Sequence, residues 1–221
     1  MSPLFRYFSK THAAAFVQQG AVLLRSLSYF RDYEDEGVRA DEYEGTLVHQ
    51  TAQGLQINNL TTGESGTVPY RLESTAKEDD IFVYCMSTEL CPEIAKRFTA
   101  EVAVEILDPP KFLARLRASL SLRRRFKTAQ LVHDHVRYYE SHEPPNVDWA
   151  LPERIAMSKP KLFSWQKEYR FAVPTGDAFG VENVSVKLVP IGTSRSSRFR
   201  VHPNQSLSLG NLSKICRVHA L

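Results

Sequence analysis

The run Tyr169-Arg170-Phe171-Ala172-Val173-Pro174 constrains this chain more than any other. Aromatic and β-branched residues fill it and a proline closes it, so residues 169–173 read as a buried strand. Gln166 and Glu168 stand two positions apart at its entrance. A strand period of two puts both side chains on one face. An amide and a carboxylate fixed side by side at the end of a core strand form a candidate site for a polar ligand. The competing reading is a surface strand end with ordinary polar residues.

The rest of the chain is compatible with such a core. Its 221 residues are 43% hydrophobic and 24% charged, as in ordinary globular proteins. No uninterrupted apolar run approaches the roughly 20 residues of a membrane helix. The start, Met1-Ser2-Pro3-Leu4-Phe5-Arg6, lacks the charged-then-apolar pattern of a signal peptide. A cytoplasmic protein with no membrane association is the expectation. Cys85, Cys91 and Cys216 include no Cys-x-x-Cys pair, and their odd number argues against a disulfide framework. All three read as reduced thiols, with Cys85 a small core residue.

Periodicity places strands at residues 4–9, 21–27, 46–49, 54–60, 68–72, 101–107, 128–139 and 184–191, with a last strand after Gly210. Ile81-Phe82-Val83-Tyr84-Cys85-Met86 is a continuous apolar run that reads as a central strand. Thr11 is the expected N-cap of a helix over residues 11–19, with Gly20 just past its end. Further helices are expected at residues 92–98 and 152–157. Asp108-Pro109-Pro110 opens another that runs to about Arg124. Strands dominate and helices are interspersed. The class is α+β, one domain over residues 1–221 with a mixed or antiparallel strand core.

Three features line up in chain order: Phe5-Arg6-Tyr7 on a first strand, Cys85-Met86-Ser87-Thr88 closing a central strand, and Gln166-x-Glu168 opening a late one. This resembles the arginine–serine–glutamate pattern of the ADP-ribosyltransferase fold family. The resemblance implies an enzyme that uses NAD as substrate. Arg6 would contact the NAD phosphates, with Tyr7 beside it and Arg25 as a competing phosphate ligand. Ser87 would order the nicotinamide side. Glu168 would be catalytic, and Gln166 would address the acceptor. The middle motif departs from the family's Ser-Thr-Ser, and no glycine follows Arg6 directly. In that family Gln-x-Glu accompanies asparagine acceptors and, in the pierisin-like branch, guanine. The resemblance thus implies modification of a macromolecule, including a nucleic-acid base, by a bacterial toxin or phage-defence effector. An inhibitory protein partner would accompany such a toxin. The layout also resembles uncharacterised bacterial proteins that begin Tyr-Arg/Lys-Tyr and end Trp-x-x-Glu-Tyr-Arg.

Other constellations support other readings. Lys111, Arg115, Arg117, Arg123, Arg124, Arg125 and Lys127 share a stretch without acids, which reads as an RNA- or DNA-binding helix or as a solvated face. Arg195, Arg198 and Arg200 form a second basic cluster. A non-enzymatic nucleic-acid-binding module is therefore an alternative. Asp32, Glu34, Asp35, Asp41 and Glu44 lie in an acidic block, residues 32–44, that could serve a metal-dependent nuclease. Its preferred use is a cap over the site, positioned by Phe30 and Tyr33, with Arg31 and Arg39 neutralising part of it. His133-Asp134-His135 and His142-Glu143 read as surface groups rather than metal ligands.

Overall fold

The computed structural model describes residues 3–31, 41–193 and 201–221. Its frame is an eight-stranded sheet. β1 (Leu4–Phe8) leads into α1 (Lys10–Gln19) and β2 (Ala21–Ser26), followed by the short α2 (Leu27–Arg31). β7 (Ile81–Ser87) is the central strand. β8 (Val102–Ile106), β9 (Val132–His135), β12 (Glu168–Pro174), β14 (Asn204–Ser208) and β15 (Cys216–Ala220) complete the sheet. A smaller sheet joins β3 (Thr46–His49), β6 (Tyr70–Thr75) and β13 (Ser185–Pro190), while β4 (Leu55–Asn58) and β5 (Ser65–Val68) form a separate hairpin. The pairings in these three sheets are antiparallel. One short parallel pair stands apart, β10 (Arg137–Tyr139) with β11 (Ser158–Pro160). The fold is α+β.

Strand alternation divides the interior. Leu4, Phe82, Tyr84, Met86, Tyr169, Phe171 and Val173 face the main core, which α1 and α4 (Pro109–Ser121) cover through Phe16, Phe112 and Leu116. Ile81, Val83 and Ala172 face a second core, closed by Leu47 of the smaller sheet and by Ile155 and Ala156 of α5 (Pro152–Ala156). A third cluster joins Phe5, Tyr7 and Ala103 to Ile94 and Ala95 of α3 (Pro92–Arg97). Every residue of β12 is buried, so it is a core strand and not a surface strand end.

The helix ends follow side-chain chemistry. Ser9, not Thr11, caps α1, because its hydroxyl accepts the His12 N–H and the helix begins at Lys10. Asp108 caps α4 by accepting the Lys111 N–H at 3.0 Å. That helix ends at Ser121, short of Arg124. The expected strand over residues 128–139 breaks into a 3₁₀ turn (Thr128–Gln130), β9 and β10, which pair with different partners.

β7 organises what lies above it. One of its edges pairs with β12 along its whole length, from Glu168 opposite Ser87 to Pro174 opposite Ile81. The other edge is shared. β2 pairs at Phe82 and Val83, and β1 pairs only at Ser87. The two strands diverge between those points, and among the described residues the backbone edge around Cys85 has no strand partner there. The sheet is split at its centre.

Gly20 ends α1 with φ at 62°, and its N–H reaches the carbonyls of Ala15 and Phe16. A Cβ at this position would meet the Gly210 carbonyl oxygen at 2.4 Å. Gly20→Ala should therefore destabilise the fold by about 1–3 kcal/mol, read as a lower urea midpoint. An unchanged midpoint would show that the turn tolerates a side chain.

Candidate active site

The split holds a cleft of about 470 Å³. Arg6, Tyr7, Ser87, Arg25, Gln166 and Glu168 all border it, with Cys85, Lys159, His12, Tyr29 and Phe30. Cross-strand register explains part of this grouping. Phe5, Ser87 and Glu168 lie in one row across β1, β7 and β12, so their side chains share a sheet face. Arg6 alternates to the opposite face, where its guanidinium stacks over Tyr84 at 5.0 Å. It enters the same cleft because β1 and β2 part there, and its Nη1 donates to the exposed carbonyl of Cys85. Among the described residues Arg6 Nε is buried without a hydrogen-bond partner. Arg25 stacks on Tyr29 at 4.2 Å.

Behind the cleft lies a cluster of buried charges. Arg170 is 0% exposed. Its Nε donates to Glu168 Oε1 at 2.7 Å. Its Nη1 and Nη2 donate to the two oxygens of Glu44 at 2.6 and 3.2 Å, and Nη1 also reaches the Ala156 carbonyl. Lys159 Nζ lies 3.0 Å from Glu168 Oε2 and 3.5 Å from Glu44 Oε2, and it donates to Gln166 Oε1 at 3.0 Å. Two carboxylates thus meet two cations, so the desolvation cost of each charge is offset within the cluster.

Strand period alone does not bring Gln166 and Glu168 together. Gln166 ends a 3₁₀ helix (Lys161–Gln166), and Lys167 turns through φ of 46° before β12 begins. The two groups converge because both reach Lys159. This corrects the expectation of a shared strand face.

The electrostatics follow from burial and pairing. Burial opposes the charge on Glu168, but Arg170 and Lys159 outweigh it and hold the carboxyl well below the usual carboxylate range. Burial likewise opposes the charge on Lys159, yet Glu168 and Glu44 raise its pKa. Burial pushes the Cys85 thiol up to about 12, and Glu168 adds to the shift. Cys85 therefore stays a thiol, with its side chain against Glu168. It is half-buried at the cleft and is not simply a core residue. Asp41 sits at the back of the cluster, 2% exposed, with Oδ2 lacking a hydrogen-bond partner among the described residues. Burial and then the Glu44 charge push it up to about 7.

Other expected residues divide. The Tyr7 hydroxyl donates to the Glu89 carbonyl at 2.7 Å and accepts the Cys91 N–H at 2.8 Å, so it fixes the chain beyond β7. Ser87 Oγ accepts the Glu89 N–H at 3.2 Å. In the basic stretch, Arg115 is spent on the carbonyls of Leu209 and Asn211. Arg125 binds the Asn204 carbonyl and Gln205 Oε1 and stacks on Phe82 and Phe126. These contacts tie both arginines to the chain at and beyond β14, and Arg125 remains exposed. Lys111, Arg117, Arg123, Arg124 and Lys127 are exposed, and the last three lie beyond the helix.

The acidic block is described only from Asp41 onward. Asp41 and Glu44 are buried, and Arg170 and Lys159 neutralise Glu44, while Arg31 pairs with Glu78. Asp32, Tyr33, Glu34, Asp35 and Arg39 lie outside the described residues, as do Arg195, Arg198 and Arg200. Among the described residues no group of three or more His, Cys, Asp or Glu side chains is placed to hold a metal ion. No described helix is long and apolar enough to cross a membrane. No protein-family model, curated protein or solved structure matches the chain.

Lys159, Arg170 and Cys85 did not emerge from sequence as site residues, and Glu44 emerged only as a candidate metal ligand. Arg170 carried a signal, since a lone cation in an otherwise apolar buried strand demands a buried partner. Lys159 carried none, because Ser158-Lys159-Pro160 reads as loop.

Asp41 makes stability depend on pH. Its folded pKa lies above the unfolded value, so its contribution is complete below about pH 4 and is lost as pH rises through about 7. Glu168 runs the opposite way: its contribution is complete above the ordinary carboxylate pKa and is lost progressively as pH falls below it. Between about pH 4 and 7, Asp41→Asn should remove a falling component of stability, worth up to about 1.4 kcal/mol per pH unit. Urea midpoints across that range check this, and identical slopes in both proteins would contradict it.

Proposed function

We propose that the cleft binds NAD and that the protein transfers ADP-ribose from it to a macromolecule. The observation that carries this reading is the convergence of Arg6, Ser87, Gln166 and Glu168, from separate segments, on one cleft at a split in the sheet. A cleft of about 470 Å³ is of a size for a small-molecule ligand. Arg6, whose Nε lacks a partner among the described residues, supplies a fork donor for a pyrophosphate. Arg25 offers a second cation at the other wall.

The chemistry follows from the charge that develops. As the ribose–nicotinamide bond breaks, nicotinamide leaves with the electron pair and positive charge builds on the ribose carbon. A carboxylate fixed nearby, and largely shielded from water, stabilises that charge. Glu168 is 5% exposed and is held ionised by Arg170 and Lys159, which suits the task. The acceptor nucleophile then bonds to the ribose carbon and releases its proton. Gln166, beside Glu168, stands where an acceptor would approach.

The same reading takes a nucleic-acid base as the acceptor. Lys111, Arg117, Arg123, Arg124 and Lys127 remain exposed, and they could meet phosphates without choosing sequence.

Glu168→Gln keeps shape and removes charge. Assayed where the variant is shown to be folded, it should lower nicotinamide release by about 10²–10³-fold. Unchanged release from a folded variant would remove the assigned role. Arg123→Ala with Arg124→Ala should flatten the log–log salt dependence of RNA or DNA binding by about 0.7–0.9 for each lost phosphate contact. NAD hydrolysis should be unaffected. A slope equal to that of wild type would make those arginines a solvated face and favour a protein acceptor.

A further inference from the structure

We propose that Lys159 is the positioning residue of this cleft, holding the Glu168 carboxylate and the Gln166 amide in one fixed mutual geometry. The inference rests on the transferase reading for its catalytic consequence, though its structural content stands apart from it.

A lysine ammonium has three N–H donors and no acceptor. Three acceptors surround Lys159 Nζ: Gln166 Oε1 at 3.0 Å, Glu168 Oε2 at 3.0 Å and Glu44 Oε2 at 3.5 Å. Its donors are therefore occupied inside the protein. Lys159 borders the cleft but is only 4% exposed, so it acts through its neighbours and not on a ligand. The ammonium also lies over the Phe163 ring, 5.3 Å from its centroid.

The contact to Gln166 has a directional result. An amide whose oxygen is tied to Lys159 turns its NH₂ group away from that lysine. The side chain then has one orientation at the entrance to β12. Glu168 is likewise pinned from two sides, by Arg170 Nε on Oε1 and by Lys159 Nζ on Oε2. β11, which carries Lys159, packs beside β10, and Tyr138 of β10 accepts the Glu168 N–H at 2.9 Å. The support is thus independent of β12 itself.

The groups facing Glu168 from the surrounding elements are Arg170 on β12, Lys159 on β11, Cys85 on β7 and Tyr138 on β10, with Glu44 and Asp41 behind the two cations. Removing Lys159 leaves Arg170 as the one cation paired to the carboxylate among the described residues. The acid limb of the rate profile should then move upward.

The test compares Lys159→Met with Lys159→Met/Glu44→Gln, which restores charge balance should the single variant not fold. Lys159→Arg serves as the conservative variant. Two readouts are taken. NAD hydrolysis should show kcat lower by about 10²-fold with KM nearly unchanged, because a misplaced group costs rate and Lys159 makes no contact with NAD. The acid limb should rise by about one pH unit or more. Lys159→Arg should recover part of kcat. Independently, side-chain NMR should show the Gln166 NH₂ resonances displaced in the methionine variants relative to wild type, with the Glu168 carboxyl titrating at higher pH. If wild type turns over no NAD, the transferase reading fails, and the NMR changes alone decide the role of Lys159. Gln166 and Glu168 signals unchanged in a folded variant would overturn the proposal even in an active enzyme.

Discussion

Arg170 carries a full charge into the core at 0% exposure, and much of the structure around the cleft is arranged to accommodate it. An unpaired buried ion costs several kcal/mol even after relaxation. Here the guanidinium meets both oxygens of Glu44, one oxygen of Glu168 and the Ala156 carbonyl. Those partners come from the turn before β3, from β12 and from α5. One side chain therefore ties the smaller sheet and the short helix to the central strands. Lys159 extends the same cluster to β11 and to Gln166. A well-packed apolar cluster would give comparable stability at lower risk. The ionic version brings something else, a carboxylate that is charged, fixed and open to a cleft.

The second constraint is topological. β7 serves β12 along its full length but shares its other edge between β2 and β1. Because β1 pairs with it only at Ser87, the backbone near Cys85 is left facing the gap. The split admits Arg6 from the opposite face of the sheet to the cleft that Glu168 also borders. A continuous sheet would keep those two groups apart, since alternation assigns them to different faces. The cleft is thus a consequence of strand divergence and not of a mobile loop.

How much of this was legible in sequence depended on range. β7 and β12 were readable because continuous apolar runs admit few other placements. Asp108 and Gly20 marked helix ends through local chemistry, although Ser9 displaced Thr11 as the α1 cap. Arg6, Ser87 and Glu168 were named from a resemblance, and strand register places the last two side by side. The charge cluster was not legible. Glu44 and Arg170 pair across 126 residues, and nothing near either one signals the other. The acidic look of residues 32–44 suggested a cap over the site, with a metal site as an alternative, whereas Asp41 and Glu44 are buried. The basic look of Arg115 and Arg125 concealed carbonyl caps for the chain around β14 and beyond. Composition counts charges, but only tertiary structure shows which of them are already spent.

The central claim is that NAD lies in the split between β1 and β2, with its pyrophosphate at Arg6 and its nicotinamide ribose at Glu168. A crystal structure with a non-hydrolysable NAD analogue tests it most directly. The account requires the Arg6 guanidinium to leave the Cys85 carbonyl for the pyrophosphate, with the ribose hydroxyls within hydrogen-bond reach of Glu168. An analogue bound at another surface, or one whose ribose lies away from Glu168, would contradict it.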